Sequence, residues 1–121
     1  MKFCWITINV ANMEESINFY HDIIGLKVAE RFMLGNEIEI AMLGEGEGTK
    51  VELIYNKDNT AKSTGISIGF EVDSLEKAME LMREKNIPII RGPISPNSST
   101  SFFFINDPNG VEIQIVQHSH K

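Results

Sequence analysis

Four side chains suited to binding chemistry stand in two pairs with the same spacing. Glu52 and Gln114 are 62 residues apart, and so are Trp5 and Ser67. A carboxylate accepts hydrogen bonds, pairs with cations and can act as a general base. An indole offers an aromatic surface and one N–H donor. This mixture of groups suits an apolar or aromatic small molecule that is held by a few hydrogen bonds.

Glu52 and Gln114 belong to two predicted β-strands with the same pattern. Strands 51–55 and 111–116 are apolar at their odd-numbered positions, and each follows a glycine-bearing turn. Because successive side chains alternate across a strand, Glu52 and Gln114 project from the opposite face. The two strands are therefore predicted to be equivalent elements that close the two halves of the chain.

The order of predicted elements is the same in both halves. The first half reads as a strand, a helix capped by Asn12 and three strands, placed at 3–10, 13–24, 26–33, 37–43 and 51–55. The second half repeats this order at 66–72, 75–86, 87–90, 100–105 and 111–116. A loop rich in Pro, Ser and Asn is predicted at 92–99, and the glycine-bearing stretch 44–48 is interpreted as a flexible connection into the strand at 51–55.

This duplication predicts one α+β domain over residues 1–121, built from two βαβββ modules. Module 1 covers about 1–57, a linker about 58–64 and module 2 about 65–121. Neither half could bury its sheet alone, so we expect the modules to pair. The expected result is a curved mixed β-sheet around a cleft, with one helix per module on the outer face. The residues predicted to bind a ligand in this cleft are Trp5, Thr7, Asn9, Glu52, Ser67 and Gln114.

Three further features have a structural interpretation. Arg91 is expected to be a solvated surface residue, with contact to a ligand carboxylate as the alternative. The run of three phenylalanines at 102–104 must divide between the two faces of a strand, and core packing is the favoured role. Cys4 lies on the apolar side of the alternating pattern and is predicted to be a buried, inert thiol.

Composition excludes several classes of partner. The net charge is −6, with 11 basic and 17 acidic residues, whereas nucleic acids and anionic membranes require basic surfaces. No apolar run approaches the length of about 20 residues that spans a bilayer. A single cysteine and the lack of a signal-peptide pattern at the first residues predict a cytoplasmic protein.

Two stretches of the chain resemble the vicinal oxygen chelate superfamily, which includes glyoxalase I, bleomycin-resistance proteins and extradiol dioxygenases. One stretch is VANMEESINFY at 10–20, followed by Ile24-Gly25-Leu26, and the other is DPNGVEI at 107–113. The resemblance covers almost the whole chain and implies the βαβββ fold. Because this fold hosts several unrelated chemistries, it does not define the activity.

The resemblance also implies where a metal would be bound. The metal enzymes of the superfamily place ligands in the first and last strand of each half, and the glyoxalase pattern is His or Gln, Glu, His and Glu. The matching positions here are Trp5, Glu52, Ser67 and Gln114, of which Glu52 alone keeps a typical ligand type. We therefore expect no metal and no other cofactor. A remodelled site for Ni, Zn, Fe or Mn is the alternative.

Together these observations predict a glyoxalase/bleomycin-resistance-like protein that binds a small, partly apolar molecule in the sheet cleft. The alternative is an enzyme of the same superfamily, such as a lactoylglutathione lyase-like enzyme or an isomerase, with Glu52 as its catalytic group. The family often forms dimers, and the sequence leaves monomer and homodimer both open.

Overall fold

The computed structural model describes residues 1–59, 62 and 64–119. The chain divides into two compact units, Met1–Ser63 and Thr64–Lys121. Residues 60, 61 and 63 of the predicted linker lie outside the described residues. In the described part of the chain, no helix is both long enough and apolar enough to cross a membrane.

The first unit contains a mixed β-sheet covered on one face by a helix. Its described elements are β1 (Trp5–Asn9), α1 (Met13–Asn18), β2 (Val28–Leu34), β3 (Ile38–Leu43) and β4 (Lys50–Asn56). The strands lie in the order β1-β4-β3-β2. Strand β1 is parallel to β4, and the other neighbours are antiparallel.

The second unit repeats this arrangement. Its described elements are β5 (Ser67–Glu71), α2 (Leu75–Glu84), β6 (Arg91–Asn97), β7 (Thr100–Asn106) and β8 (Glu112–His118). The strand order is β5-β8-β7-β6, with β5 parallel to β8. The prediction of an α+β fold with two βαβββ modules, mixed sheets and one helix per module is confirmed.

The first helix begins and ends for local reasons that the sequence indicates. Asn12 is its N-cap, and the Asn12 side chain accepts a hydrogen bond from the Glu15 N–H at 3.0 Å. The helix continues beyond Asn18 as a π-helical turn at Phe19–Ile23. Gly25 then has a φ of +91°, which a residue with a side chain rarely adopts, and the helix stops there.

Each sheet buries the face that carries its helix. Helix α1 contacts β4 and helix α2 contacts β8. On these two strands the apolar positions Leu53 and Ile113 are fully buried, both with 0% exposure. Because side chains alternate, Glu52 and Gln114 project from the other face of their sheets. We call this second face the open face of each sheet.

The position of strand β6 corrects the sequence prediction. Residues 87–90 were predicted to be a strand and 92–99 a loop, but the strand runs from Arg91 to Asn97. It is an edge strand with an irregular register against β7. Pro93 and Pro96 have no N–H to donate, and an edge strand tolerates this loss because one of its sides needs no partner. Proline content therefore indicated a loop where the structure has an edge.

The prediction that Cys4 is buried is also wrong. Strand β1 begins at Trp5, two residues later than predicted, so the alternating burial of the strand does not extend to Cys4. The Cys4 thiol is exposed, and its Sγ lies 3.5 Å from the backbone oxygen of Lys2.

Arg31 connects helix α1 to the first sheet. Its Nε donates a hydrogen bond to Glu39 Oε2 of β3 at 2.6 Å, and its Nη2 donates to Glu14 Oε1 of α1. The bonds to Glu39 and then Glu14 raise the pKa of Arg31 above its usual value. These groups are partly exposed, so we expect them to orient the helix more than to stabilise the fold.

Candidate functional site

Strands β1 and β4 place four of the predicted ligand-binding residues on the open face of the first sheet. In their parallel pairing, Thr7 lies opposite Glu52 and Asn9 opposite Ile54. Trp5 stands at the start of the same face with 53% of its surface exposed. Thr7 Oγ1 donates a hydrogen bond to Glu52 Oε1 at 2.7 Å. The structure therefore brings Trp5, Thr7, Asn9 and Glu52 together on adjacent strands.

Ser67 and Gln114 lie on the open face of the second sheet. Ser67 pairs with Glu112, and Gly69 pairs with Gln114 on the neighbouring strand. A Cβ added at Gly69 would lie 3.6 Å from Gln114 Oε1, so the amide oxygen of Gln114 rests beside this glycine. The sequence repeat predicts that Ser67 and Gln114 meet Trp5 and Glu52 at one point. This convergence stays a prediction.

Arg91 is part of a polar cluster that the sequence analysis did not find. Its Nη2 donates a hydrogen bond to Glu112 Oε1 at 2.6 Å, and its guanidinium carbon lies 4.2 Å from the centre of the Phe104 ring. The bond to Glu112 raises the pKa of Arg91, and the bond to Arg91 lowers the pKa of Glu112. Glu112 precedes Gln114 by two residues, so the strand period could have placed it on the same face.

A cavity of about 280 Å³ opens beside Trp5 in the first unit. Its walls include Trp5 of β1, Glu30 of β2, Met42 of β3 and the glycine-bearing loop at 46–48. The sequence analysis interpreted this loop as a flexible connection. Instead, the ammonium of Lys50 donates to the backbone oxygens of Gly46 and Gly48 at 2.6 and 3.2 Å and holds the loop in place.

The residues at the expected metal positions do not fit a transition metal. The indole of Trp5 has no lone pair in the ring plane to donate, and the Ser67 hydroxyl is a poor ligand for such an ion. Glu52 Oε1 already accepts the Thr7 hydroxyl. Within residues 1–59, 62 and 64–119, no group of three His, Cys, Asp or Glu side chains is arranged to hold a metal ion.

Comparison with known proteins establishes the family. Residues 2–115 match the Glyoxalase/Bleomycin resistance protein/Dioxygenase superfamily. The chain belongs to this superfamily, which confirms the resemblance found in the sequence.

Two relatives in sequence carry the name lactoylglutathione lyase, one of them as a probable lactoylglutathione lyase. A lactoylglutathione lyase of Neisseria meningitidis serogroup B is 28% identical, over 97% of this chain and 91% of that protein. A probable lactoylglutathione lyase of Synechocystis sp. is 27% identical, over 94% of this chain and 93% of that protein.

Solved structures with the same fold include a glyoxalase I and an antibiotic binding protein. The trypanothione-dependent glyoxalase I of Leishmania major has a TM-score of 0.83 at 24% identity, covering 97% of this chain and 86% of that chain. TnmS3, an antibiotic binding protein from Streptomyces sp. CB03234, has a TM-score of 0.78 at 16% identity, covering 98% and 97%. At these identities the likeness shows the fold alone.

Proposed function

We propose that this protein binds a small, partly apolar molecule on the open face around Trp5 and Glu52, without the divalent metal of its metal-dependent relatives. The observation that carries the proposal is the exposure of the Trp5 side chain beside a cavity. A large aromatic side chain is 53% exposed at the first ligand position of the family, beside a cavity of about 280 Å³. An indole at that position replaces metal coordination with an aromatic surface.

The polar groups beside Trp5 can orient such a ligand. The Thr7 hydroxyl donates a hydrogen bond to one carboxylate oxygen of Glu52, Oε1. The described residues offer no hydrogen-bond partner to Glu52 Oε2, so this oxygen is available to a donor on the ligand. The Asn9 amide, one strand position beyond Thr7 on the same face, adds both a donor and an acceptor. A few directional groups around an apolar surface are what small-molecule sites use for specificity.

The direct test is a search for ligands by two independent measurements. The purified protein is screened against a broad panel of metabolites and antibiotics by thermal shift. Each hit is then titrated while the fluorescence of Trp5, the one tryptophan in the chain, is recorded. The proposal expects at least one compound that raises the melting temperature and changes the Trp5 emission saturably. A panel in which every stabilising compound leaves the emission unchanged would place binding elsewhere.

Replacing Trp5 with Ala should weaken binding of any such hit by about tenfold or more, since it removes the aromatic wall of the site. The melting temperature should stay close to that of the wild type, because the Trp5 side chain is half exposed. Trp5→Phe is the matched variant and should keep most of the affinity. Isothermal titration of all three proteins measures the difference. Equal affinities for wild type and Trp5→Ala would remove Trp5 from the site.

A second candidate function is favoured by the activity name of the relatives. In this alternative the chain is a superfamily enzyme, a lactoylglutathione lyase-like enzyme or an isomerase, and Glu52 acts as its base. The free oxygen of Glu52 on the open face is the feature that would serve this role. An assay of glutathione–aldehyde adducts without added metal and with Ni, Zn, Fe or Mn distinguishes the two candidates.

If turnover is found, Glu52→Gln should lower kcat by about a hundredfold or more, since an amide cannot accept the proton. The shape of the side chain is retained, so substrate affinity should change much less. Unchanged kcat in this variant would exclude Glu52 as the base. The cytoplasmic location stays a prediction, and the oligomeric state stays open between monomer and homodimer.

A further inference from the structure

Among the charged residues that line the cavity beside Trp5, one has no partner in the described part of the chain. Lys2 Nζ pairs with Glu47 Oε2 at 3.3 Å. The ammonium of Lys50 is bound by the backbone oxygens of the loop 46–48. For the Glu30 carboxylate, the described residues provide neither an ion pair nor a hydrogen bond. The charged group that remains free to bond a ligand in this cavity is therefore the Glu30 carboxylate, because the donors of Lys2 and Lys50 already have partners.

A β-bulge places Glu30 on the open face. Val28 pairs with Leu43, yet Glu30 rather than Ala29 pairs with Met42, so two residues of β2 stand opposite one of β3. Without the extra residue, the small Ala29 side chain would occupy the position opposite Met42. Bulges of this kind redirect side chains and are common beside binding sites. Here the bulge brings a carboxylate to the cavity wall.

Glu30 is the outer member of a row that crosses the sheet. Met42 pairs with Glu30 on β2 and with Glu52 on β4, so the two carboxylates flank the thioether on one face. Neighbouring strands lie about 4.8 Å apart, which separates the two backbone positions by roughly 10 Å. The hydrogen-bond partner of Glu52 is the uncharged Thr7. A molecule lying on Met42 would therefore have a carboxylate on each side and the Trp5 indole next to it.

We propose that the ligand of this face is a cation: a small, flat, partly apolar molecule bearing an amine or amidine. Its positive group is bound by Glu30 and Glu52, and its ring lies on Met42 and Trp5. The face of an indole attracts a cation through its quadrupole, and a thioether packs well on aromatic rings. An anionic group in the same place, between the Glu30 and Glu52 carboxylates, would be repelled by both. This inference rests on the proposed binding function and names the ligand class for it.

The test uses three probes with one ring system and different charges. At neutral pH, 9-aminoacridine is a cation, acridine is uncharged and acridine-9-carboxylate is an anion. Each is titrated into the full-length protein by isothermal titration, with Trp5 emission as the second signal. We expect the cation to bind about tenfold more tightly than acridine and the anion to bind more weakly than acridine. The preference for the cation should decrease as salt is added, since exposed charges are screened.

Removing the Glu30 charge gives the sharper result. Glu30→Gln should weaken the binding of 9-aminoacridine about fivefold, because the ion pair with its cation is lost. The affinity for the uncharged acridine should stay the same. Glu37→Gln is the matched control, because Glu37 is an exposed carboxylate in the turn between β2 and β3. It changes the net charge equally and should leave both affinities unaltered. The melting temperatures of both variants confirm that the fold is intact.

The outcomes separate this proposal from the binding function on which it rests. Equal affinities for cation and neutral probe, or equal effects of Glu30→Gln and Glu37→Gln, overturn recognition of a cation and leave a neutral ligand at Trp5 in place. If no acridine changes the Trp5 emission saturably, cation recognition at this face is likewise overturned. The broad thermal-shift panel then decides the binding function separately.

Discussion

Replacing Trp5 with His, Ser67 with His and Gln114 with Glu in one chain should create a stoichiometric metal site. Together with the native Glu52, these changes restore the ligand types His, Glu, His and Glu of the metal-dependent relatives. We expect about one Zn or Ni ion per chain in the triple variant, with affinity raised by about a thousandfold or more. Elemental analysis after growth with Ni, Zn, Fe and Mn measures the content of both proteins.

The triple variant tests the convergence of residues 5, 52, 67 and 114, which was inferred from the 62-residue repeat. The substituted positions Trp5 and Ser67 are exposed on their own sheets, so a histidine fits at each without displacing the core. Two nitrogen and two carboxylate ligands satisfy a divalent ion only if all four reach it. The expected gain in metal affinity therefore depends on the positions of the four side chains as well as on their ligand types.

Two controls make the result decisive. Adding Glu52→Gln to the triple variant should remove most of the bound metal, because it deletes the one ligand that the wild type supplies. Trp5→His alone should bind no stoichiometric metal. A folded triple variant without metal would show that the four positions do not converge. Stoichiometric metal in the wild type would instead overturn the proposal that this protein works without it.

The alternation of apolar residues predicts which face of a strand each side chain occupies. It does not predict how the residues of neighbouring strands are paired. Alternation of apolar residues around Glu52 and Gln114 correctly placed both side chains on the open faces of their sheets. In contrast, Glu30 reaches the cavity wall through a bulge that exists only once β2 pairs with β3. No local pattern in β2 indicates that extra residue.

Other predictions failed because they were made from local sequence for residues whose structure depends on tertiary contacts. Pro93 and Pro96 suggested a loop, but their position at the edge of the sheet permits a strand. The loop at 46–48 looked flexible because of its glycines, whereas the Lys50 ammonium fixes two of its carbonyl groups. In both cases the structure depends on a contact that the local sequence pattern does not include. For the prolines this is the place of β6 at the edge of the sheet, and for the loop it is the Lys50 side chain.

The three phenylalanines at 102–104 provide the largest expected effect on stability. Phe103 is fully buried, with 0% exposure, and pairs with Ile115 of the central strand β8. Phe102 and Phe104 project from the open face, where their ring centres lie 5.7 Å apart in an edge-to-face contact. Phe103→Ala should reduce the free energy of unfolding by about 3–5 kcal/mol, since it leaves a cavity the size of a ring in the core. Natural domains are stable by only about 5–15 kcal/mol, so this variant should be close to unfolding.

Phe102→Ala is the matched control for this prediction because the same atoms are removed one position away. Phe102 is half-buried and loses mainly its contact with the Phe104 ring, so we expect a cost of about 1 kcal/mol. Urea unfolding of both variants, followed by far-ultraviolet circular dichroism, measures the two costs with the slope as a check on two-state behaviour. Similar costs for Phe102→Ala and Phe103→Ala would mean that the open face of the second sheet is covered as closely as its core. In that case Phe102 would be part of a packed interface rather than of an accessible surface.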